Sequence, residues 1–447
     1  MSSLLHSTRE ALGGDELPLC TSRSLRLTRY AAPTLKDKAR QNYLARVVAA
    51  KDQRHDDGLA SWKRWLDSVA SPDHLIHARL ESRLLVNMGG TVLENAGLQL
   101  DRFGIAYLPG SAVKACARRT ALLALRQWCE SGDKPTEDGD ALAPVVAPFA
   151  APADMLVAVL RVFGCTDLEW LGYDRDEHQT NDLAWACADQ WSVLREAART
   201  ALAPAVVRRG LFAFLPAYPI QPRTATAPDL ETDVLTPHHK QYYEGKIGVA
   251  TDDEDPVPVC FPAVAAGAIY TFPVLPVGAP SADHTTHLPH AKTWLLTGLT
   301  LLGIGAKTAA GYGAFSDATP EIAARAAREA EARRRAEADA AEKARHEAEL
   351  AARKAREAAR ANMTPEQRAD DDLATRAADW GWMKQHLTKF ATHSPEAQAA
   401  LLRWFCGAGR ERWLQEIKPG AAKGKKPWSQ IIGAIHAAKK AHKIDLP

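Results

Sequence analysis

The chain has 447 residues, of which 46% are hydrophobic and 25% charged, and its formal net charge is +2. These values are ordinary for a globular protein, and the length allows two or three domains. Because the charges nearly balance, the chain is not basic throughout, and any surface for nucleic acid must be local. The seven cysteines are scattered and never spaced C-x-x-C, which argues against a zinc ribbon and favours a reducing cytoplasm. No apolar run approaches the length of a membrane span, so we expect no membrane partner.

The first strong element signal is a strand. In LIHARLESRLLV, apolar and polar residues alternate, which predicts a buried face formed by Ile76, Ala78, Leu80, Ser82, Leu84 and Val86. Short strands are also predicted at residues 98–100 and 268–274.

A helix is predicted in YLPGSAVKACARR, residues 107–119. A Pro-Gly turn precedes Ser111, a natural N-cap residue. Lys114 and Arg118 lie four residues apart and share a face with the free amides of the first turn, an arrangement that favours a bound phosphate. Arg119 continues the basic run. A simple cap with two solvated bases explains the same pattern equally well.

The segment DVLTPHHKQYYEG, residues 233–245, is predicted to be a loop that carries rings and hydrogen-bond donors. This mixture suits single-stranded RNA, and the candidates are His238, His239, Lys240 and Tyr242. Tyrosines in a loop also pack onto the body of a protein, and that interpretation is about as well supported.

The same two adjacent histidines raise the alternative of an endoribonuclease. Neighbouring side chains in a strand-like loop point to opposite sides, which suits general acid–base catalysis poorly, so we expect no catalytic role. Three further histidines, His284, His287 and His290, lack a nearby cysteine or fixed carboxylate. We expect them to be solvated loop residues, and we predict neither a metal site nor a cofactor.

A glycine cluster, LGIGAKTAAGYGAF at residues 302–315, follows an apolar helix signal. Glycines permit positive φ angles and close approach of another molecule, and with a lysine and a tyrosine among them the candidate ligands are phosphate and nucleic acid. The spacing fits neither a Walker A motif nor a Rossmann fingerprint. The plainer alternative is that the glycines only shape a tight turn. The candidate residues are Gly303, Gly305, Lys307, Thr308, Gly311, Tyr312 and Gly313.

Residues 319–361 consist almost wholly of Ala, Arg, Glu and Lys, which predicts a solvated single helix that acts as a spacer. Acidic and basic residues four apart predict surface ion pairs in Glu321–Arg325, Glu329–Arg333, Glu331–Arg335 and Glu349–Arg353. Residues 370–447 carry five of the twelve tryptophans and predict a small helical domain, whose apolar stripes we interpret as core. Within it, KPGAAKGKKPW is predicted to be a basic loop, either a phosphate contact or a solvated linker.

These pieces, in this order, resemble the RAMP superfamily of CRISPR-associated proteins, and within it the sixth subunit of the type III-B, or Cmr, RNA-guided effector complex. The resemblance rests on YLPGSAVKACARR, FLPAYPI, DVLTPHHKQYY and the glycine cluster, and SRSLRLTRYAAP at residues 22–33 is similar to the family's N-terminal strand. It covers residues 20–317. The region around 130–205 is longer than the family pattern and predicts an insertion, and everything from 319 onward lies outside that pattern.

The resemblance implies an α+β fold: a modified RRM, or ferredoxin-like, domain with helical insertions over residues 1–317. A charged helical spacer at 318–362 and a small all-α domain at 370–447 would follow it. It also implies a non-catalytic backbone subunit that binds the 3′ portion of a guide RNA and helps hold a single-stranded target RNA. Other RAMP subunits of the complex would be its partners. Residues 370–447 lie outside the resemblance and are a separate candidate for a further protein or RNA contact. The candidate RNA ligands are Ser111, Lys114, Arg118 and Arg119, the four residues at 238–242, and the seven of the glycine cluster.

Overall fold

The computed structural model describes residues 5–14, 19–50, 54–136, 139–166, 181–202, 209–221, 228–236, 239–251 and 258–447. The chain divides into two compact units, Met1–Ala327 and Arg328–Pro447. No helix among the described residues is long and apolar enough to cross a membrane.

The first unit combines helices with antiparallel strands. Its described strands are β1 (Leu75–Leu80), β2 (Phe212–Phe214), β3 (Tyr218–Gln221), β4 (Leu230–Leu235), β5 (Val259–Val264), β6 (Ile269–Pro276) and β7 (Phe315–Asp317). Its described helices are α1 (His6–Ala11), α2 (Arg23–Thr28), α3 (Asp37–Ala49), α4 (His55–Val69), α5 (Gly110–Ser131), α6 (Ala143–Val146), α7 (Pro152–Phe163), α8 (Asp182–Cys187), α9 (Trp191–Leu202), α10 (Lys240–Tyr243) and α11 (Ala282–Thr297).

The main sheet has the strand order β2–β6–β1–β7, and β3 continues β2 along the same edge of β6. All its pairings are antiparallel, with Ile76 opposite Phe272 and Phe214 opposite Val274. Helix α5 follows β1, and α11 follows β6. If β2 and β3 count as one strand, the sequence β1–α5–β2/β3–β6–α11–β7 is a βαββαβ unit with spatial order 4-1-3-2. The predicted ferredoxin-like fold is confirmed.

The βαββαβ unit contains two insertions. Helices α6 to α9 lie between α5 and β2, and their buried residues join the same hydrophobic core as α5. The hairpin of β4 and β5 lies between β3 and β6, in register from Leu230–Val264 to Leu235–Val259. Helix α3 packs on this hairpin.

The alternation rule succeeded at β1. Ile76, Ala78 and Leu80 are buried as expected, although the strand ends at Leu80 and only an isolated bridge from Leu84 to Val264 follows. The strand expected at 98–100 is likewise only a bridge, between Leu100 and Ala106.

The N-terminal strand implied by the resemblance was wrong. Residues 23–28 form α2, and the Oγ atom of Ser22 accepts the amide of Leu25 at 3.3 Å as a helix cap. The tertiary reason is Arg23, whose side chain is buried and held by partners far along the chain, Asp229 among them.

The second unit is helical throughout its described elements. Its long helix α12 (Thr319–Ala361) begins in the first unit and has no buried residue, as expected of a solvated helix. The shorter helices are α13 (Pro365–Arg376), α14 (Trp380–Thr388), α15 (Pro395–Cys406), α16 (Arg410–Arg412), α17 (Lys418–Ala422) and α18 (Trp428–His442). The predicted basic loop at 418–428 therefore contains the short helix α17. The apolar stripes are core, with Met383, Leu387, Phe405 and Ile435 fully buried.

The predicted ion pairs of α12 are partly rearranged. Glu331 pairs with Arg335 as expected. Glu349 instead pairs with Arg345 at 3.7 Å, and Glu321 reaches Arg79 of β1 at 2.7 Å. Spacing alone allows a carboxylate to pair in either direction along the helix, or with a neighbouring element.

The separate cores predict that a chain ending at Ala327 folds alone. The buried clusters of the two units share no residue, and a solvated helix buries little apolar area. We expect residues 1–327 to melt cooperatively within a few degrees of the full chain. A chain ending at Ala318 is the control: it loses the Thr319 hydroxyl contact to His77 and the Glu321–Arg79 pair, and should be less stable by about 1 kcal/mol. Loss of a cooperative transition in the 1–327 chain would contradict the division.

Candidate nucleic-acid interface

The glycine loop, residues 303–314, runs beside residues 81–86, the continuation of β1. The amide of Gly313 donates to the carbonyl of Arg83 at 2.7 Å, and that of Ala306 donates to the carbonyl of Leu85 at 2.7 Å. Within the loop, the amide of Ile304 donates to the carbonyl of Gly313 at 3.0 Å. Backbone hydrogen bonds thus fix both sides of the loop and leave its middle as an exposed tip.

Three of the four glycines approach the protein's own backbone. Gly303, Gly305 and Gly313 have φ angles of +70°, +107° and +69°. A Cβ atom on Gly305 would lie 2.3 Å from the carbonyl oxygen of Leu85, and one on Gly313 would lie 2.0 Å from that of Ile304. For these glycines the plainer interpretation, that they shape the turn, is the one the geometry favours.

The tip differs. Lys307, with φ +58°, adopts the left-handed conformation, and Gly311 follows a single 3₁₀ turn with φ +86°. A Cβ atom on Gly311 would meet nothing within 4 Å. A lysine in the left-handed region costs about 1 kcal/mol or more, which a glycine or asparagine would relieve. Lys307 is partly exposed, and its carbonyl accepts the amides of Ala310 and Tyr312 within the turn.

Tyr312 packs inward. Its ring lies against the cluster of Leu85 and Phe261, and its hydroxyl donates to Oδ2 of Asp233 at 2.5 Å. Burial and the hydrogen bond to Asp233 raise the pKa of Tyr312 to about 12. Arg83 pairs with Glu231 and with the same Asp233. The structure therefore joins the glycine loop to the start of the 233–245 segment, through a carboxylate that the sequence analysis did not single out.

The start of α5 differs from expectation. The helix begins at Gly110 after Pro109, so Ser111 is its second residue, is exposed and does not act as the N-cap. Pro109 takes the N-cap position and has no side-chain acceptor, so the helix start has no side-chain cap. Gly110 packs closely on β2, where a Cβ atom would lie 2.2 Å from the carbonyl oxygen of Phe214.

Lys114 and Arg118 have partners inside the protein. The Nζ atom of Lys114 donates to the carbonyl of Phe163 at 2.8 Å, and Arg118 donates to the carbonyl of Gly164 and, through two nitrogens, to Asp182. Both cations thus bind carbonyls at the C-terminal end of α7, where positive charge is favourable. A phosphate would have to displace these contacts. Arg119 is exposed beside an open pocket of about 420 Å³ that Asp182 and Trp185 also line.

The 233–245 segment is only partly described. Its first residues belong to β4, and α10 forms its second half. His238 and the side chain of Lys240 lie outside the described residues. The Nδ1 atom of His239 lies 3.1 Å from the carbonyl oxygen of Thr251, and the rings of Tyr242 and Tyr243 are exposed and meet edge to face at 5.8 Å.

The expectation of solvated loop histidines at 284–290 was wrong. His284, His287 and His290 lie on α11 and are partly buried, and the ring of His290 packs against that of Phe149 with the centroids 4.8 Å apart. Burial, together with neighbouring His290, lowers the pKa of His287 to about 4. Among the described residues, no group of three or more metal-binding side chains comes together.

A polar cluster that the sequence analysis missed lies under the N-terminal helices. The guanidinium of Arg23 donates to both carboxylate oxygens of Asp229, at 2.6 and 3.1 Å, and to the carbonyls of Val48 and Ala50. His55 lies 3.5 Å from the same carboxylate. Its members are far apart in the sequence, so no local signal could have revealed it.

Residues 77–316 match the family model of the RAMP superfamily. The chain belongs to the RAMP superfamily. The matched range begins inside β1 and ends inside β7, so it spans nearly all of the βαββαβ unit together with the glycine loop. Helices α1 to α4 and everything after β7 lie outside it, as the sequence analysis expected of residues from 319 onward.

Individual proteins add more specific similarities. The chain is 25% identical over 276 residues to the CRISPR system Cmr subunit Cmr6 of Pyrococcus furiosus, covering 56% of this chain and 72% of that protein. The crystal structure of Cmr6 from Pyrococcus furiosus aligns over 54% of this chain and 97% of that one, at 23% identity and a TM-score of 0.26. The type III-B Cmr-beta complex bound to cognate target RNA contains a chain that aligns over 63% of this one and 76% of its own length, at 16% identity and a TM-score of 0.34.

Proposed function

We propose that this RAMP protein is a non-catalytic backbone subunit of a type III-B CRISPR effector complex in the cytoplasm. In this proposal it binds the 3′ portion of the guide RNA, helps hold the target RNA, and contacts other RAMP subunits of the complex. Membership of the superfamily and the similarity to Cmr6 support the choice of complex. The observation that carries the RNA contact is Lys307, which is partly exposed, adopts the left-handed conformation and lies next to the exposed residues 309–311 of the glycine loop.

The tip suits a phosphate for physical reasons. Lysine is a compact cation, and Gly311 beside it leaves room for a sugar-phosphate chain to approach the backbone. The rest of the glycine loop is held rigidly by its hydrogen bonds to residues 83–85, so the tip is presented in one conformation. Backbone strain that persists because the surrounding structure holds it in place is typical of binding sites.

Replacement of Lys307 separates binding from folding. In the reconstituted complex, Lys307→Gly should lower guide-RNA retention while its melting temperature equals or exceeds that of the wild type, because glycine removes the left-handed strain. Lys307→Ala should lower retention without the gain in stability. The control Lys63→Ala removes an exposed lysine of α4, which pairs with Asp67, and should change neither quantity. Retention of the guide at wild-type levels in both Lys307 variants, over a range of salt concentrations, would sink the proposal.

Catalysis by the adjacent histidines is tested in the same complex. We expect His238→Ala and His239→Ala to leave target cleavage intact, with at most a loss of RNA retention. Loss of cleavage with normal assembly and normal RNA content would instead assign the pair to a nuclease site.

A further inference from the structure

The C-terminal part of the second unit carries an unbalanced positive charge. Between residues 418 and 443 there are no acidic residues and seven lysines, namely Lys418, Lys423, Lys425, Lys426, Lys439, Lys440 and Lys443. We call residues 418–443 the lysine segment. Helix α12 of the same chain gives the contrast, because its basic and acidic residues are interleaved and pair with one another. A soluble surface carries charges of both signs interspersed. A run of charges of one sign is therefore not explained by solubility.

The lysine segment is well anchored. Trp428, Ile431 and Ile435 of α18 are buried in the core of the second unit, so the opposite side of the helix faces outward. That side carries small residues, and a Cβ atom on Gly433 would meet nothing within 4 Å. An extended ligand could therefore lie close to the helix.

Most of these charges form no ion pair with a carboxylate in the described part of the chain. Lys418 donates to the carbonyl of Pro447 at 3.2 Å, and Lys439 pairs with Asp445 at 3.2 Å. Other acids of the unit pair elsewhere, Asp370 with Arg403 for example. The lysines that form no ion pair with any described carboxylate are Lys423, Lys425, Lys426, Lys440 and Lys443.

Helix stability explains only some of them. Lys439 and Lys440 lie in the last turn of α18, where cations interact favourably with the helix dipole. Lys423 is the C-cap residue of α17, where a cation is favourable. Lys425 and Lys426 lie directly before the N-cap residue of α18, where cations are unfavourable, so helix stability does not explain them and their positions suit a negatively charged partner.

We propose that the lysine segment binds the phosphate backbone of single-stranded RNA without sequence preference. An acidic protein is the less suitable partner, because among the described residues no large apolar side chain of the segment is exposed to serve as an interface anchor. The proposal rests on the proposed function in that an RNA-containing complex supplies the ligand. It goes beyond that function because the segment lies outside residues 77–316, which match the superfamily.

The test uses the full chain and a fluorescein-labelled 20-nucleotide oligouridine, with binding followed by anisotropy between 50 and 200 mM salt. The variant is Lys423→Gln with Lys425→Gln and Lys426→Gln, three exposed residues. Its matched control is Lys343→Gln with Arg345→Gln and Lys354→Gln on α12, which changes the net charge equally. Lys307→Ala in the same titration reports on the glycine loop.

We expect the lysine-segment variant to bind oligouridine about tenfold more weakly at 100 mM salt. The slope of log affinity against log salt should fall in magnitude by about 2, or about 0.7 per lost phosphate contact. The α12 control should match the wild type. Equal binding by the variant and the control would overturn the proposal, whereas the proposed function is decided separately by guide retention in the complex. A 20-residue polyglutamate that competes as well as unlabelled oligouridine would also overturn it, in favour of an acidic protein partner.

Discussion

Gly313→Ala is expected to destabilise the first unit by about 3 kcal/mol, whereas Gly311→Ala should cost only about 1 kcal/mol. Both residues have positive φ angles, so both substitutions carry backbone strain. Only at Gly313 would the new Cβ atom also lie 2.0 Å from a carbonyl oxygen, that of Ile304. Neither backbone segment can move, because the amide of Gly313 is hydrogen-bonded to Arg83 and that of Ile304 to Gly313 itself.

The same two glycine substitutions distinguish an effect on folding from an effect on RNA binding. Thermal melting of the full chain should show a fall of about 6 °C or more for Gly313→Ala and a much smaller one for Gly311→Ala. In the assembled complex, the surviving folded Gly313→Ala protein should retain the guide, while Gly311→Ala should lose it, because its methyl group projects into open space at the exposed tip of the loop. Equal melting temperatures would contradict the steric argument, and full guide retention by Gly311→Ala would show that the tip does not meet RNA.

Asp229→Asn is expected to lower the free energy of unfolding by about 3 kcal/mol. This value is near the lower end of the range for breaking a buried ion pair, because the carboxylate of Asp229 is partly exposed. The guanidinium of Arg23 is almost completely buried and would be left without its counter-charge. A matched control is Asp67→Asn, which breaks an exposed pair with Lys63 on α4 and should cost less than about 1 kcal/mol. Chemical denaturation at pH 7 measures both.

The pH dependence of the free energy of unfolding tests the same cluster of Arg23, His55 and Asp229 in a second way. Burial opposes ionisation of Asp229, but the hydrogen bonds from His55 and Arg23 outweigh it and hold its pKa well below the ordinary value. A carboxylate whose pKa is lowered on folding adds stability above its unfolded pKa, about 4, and that stability is lost as pH falls towards the folded value. The difference in stability between wild type and Asp229→Asn should therefore shrink from pH 5 to pH 2. A difference independent of pH over that range would show that the carboxylate charge does not stabilise the fold.

The sequence by itself determined those features that depend on neighbours a few residues apart. Alternation fixed the buried face of β1, because side chains of a strand alternate between two sides. Composition determined α12, since alanine-rich charged segments form helices without a core. The glycine cluster correctly marked positions with positive φ, and the superfamily resemblance rested on motifs that are continuous in the chain.

Only the tertiary structure decided which partner each polar group takes. Two cations four residues apart on a helix, such as Lys114 and Arg118, can bind a phosphate or the carbonyls of another helix equally well. In the fold they bind the carbonyls of Phe163 and Gly164 at the end of α7. Arg23 lies in a helix because its buried guanidinium forms an ion pair with Asp229, which is distant in the sequence. Among the glycines, Gly313 serves the fold and Gly311 stays open, because only one of them meets the chain's own backbone. Periodicity encodes neighbours within one or two turns, whereas these contacts join residues that folding alone brings together.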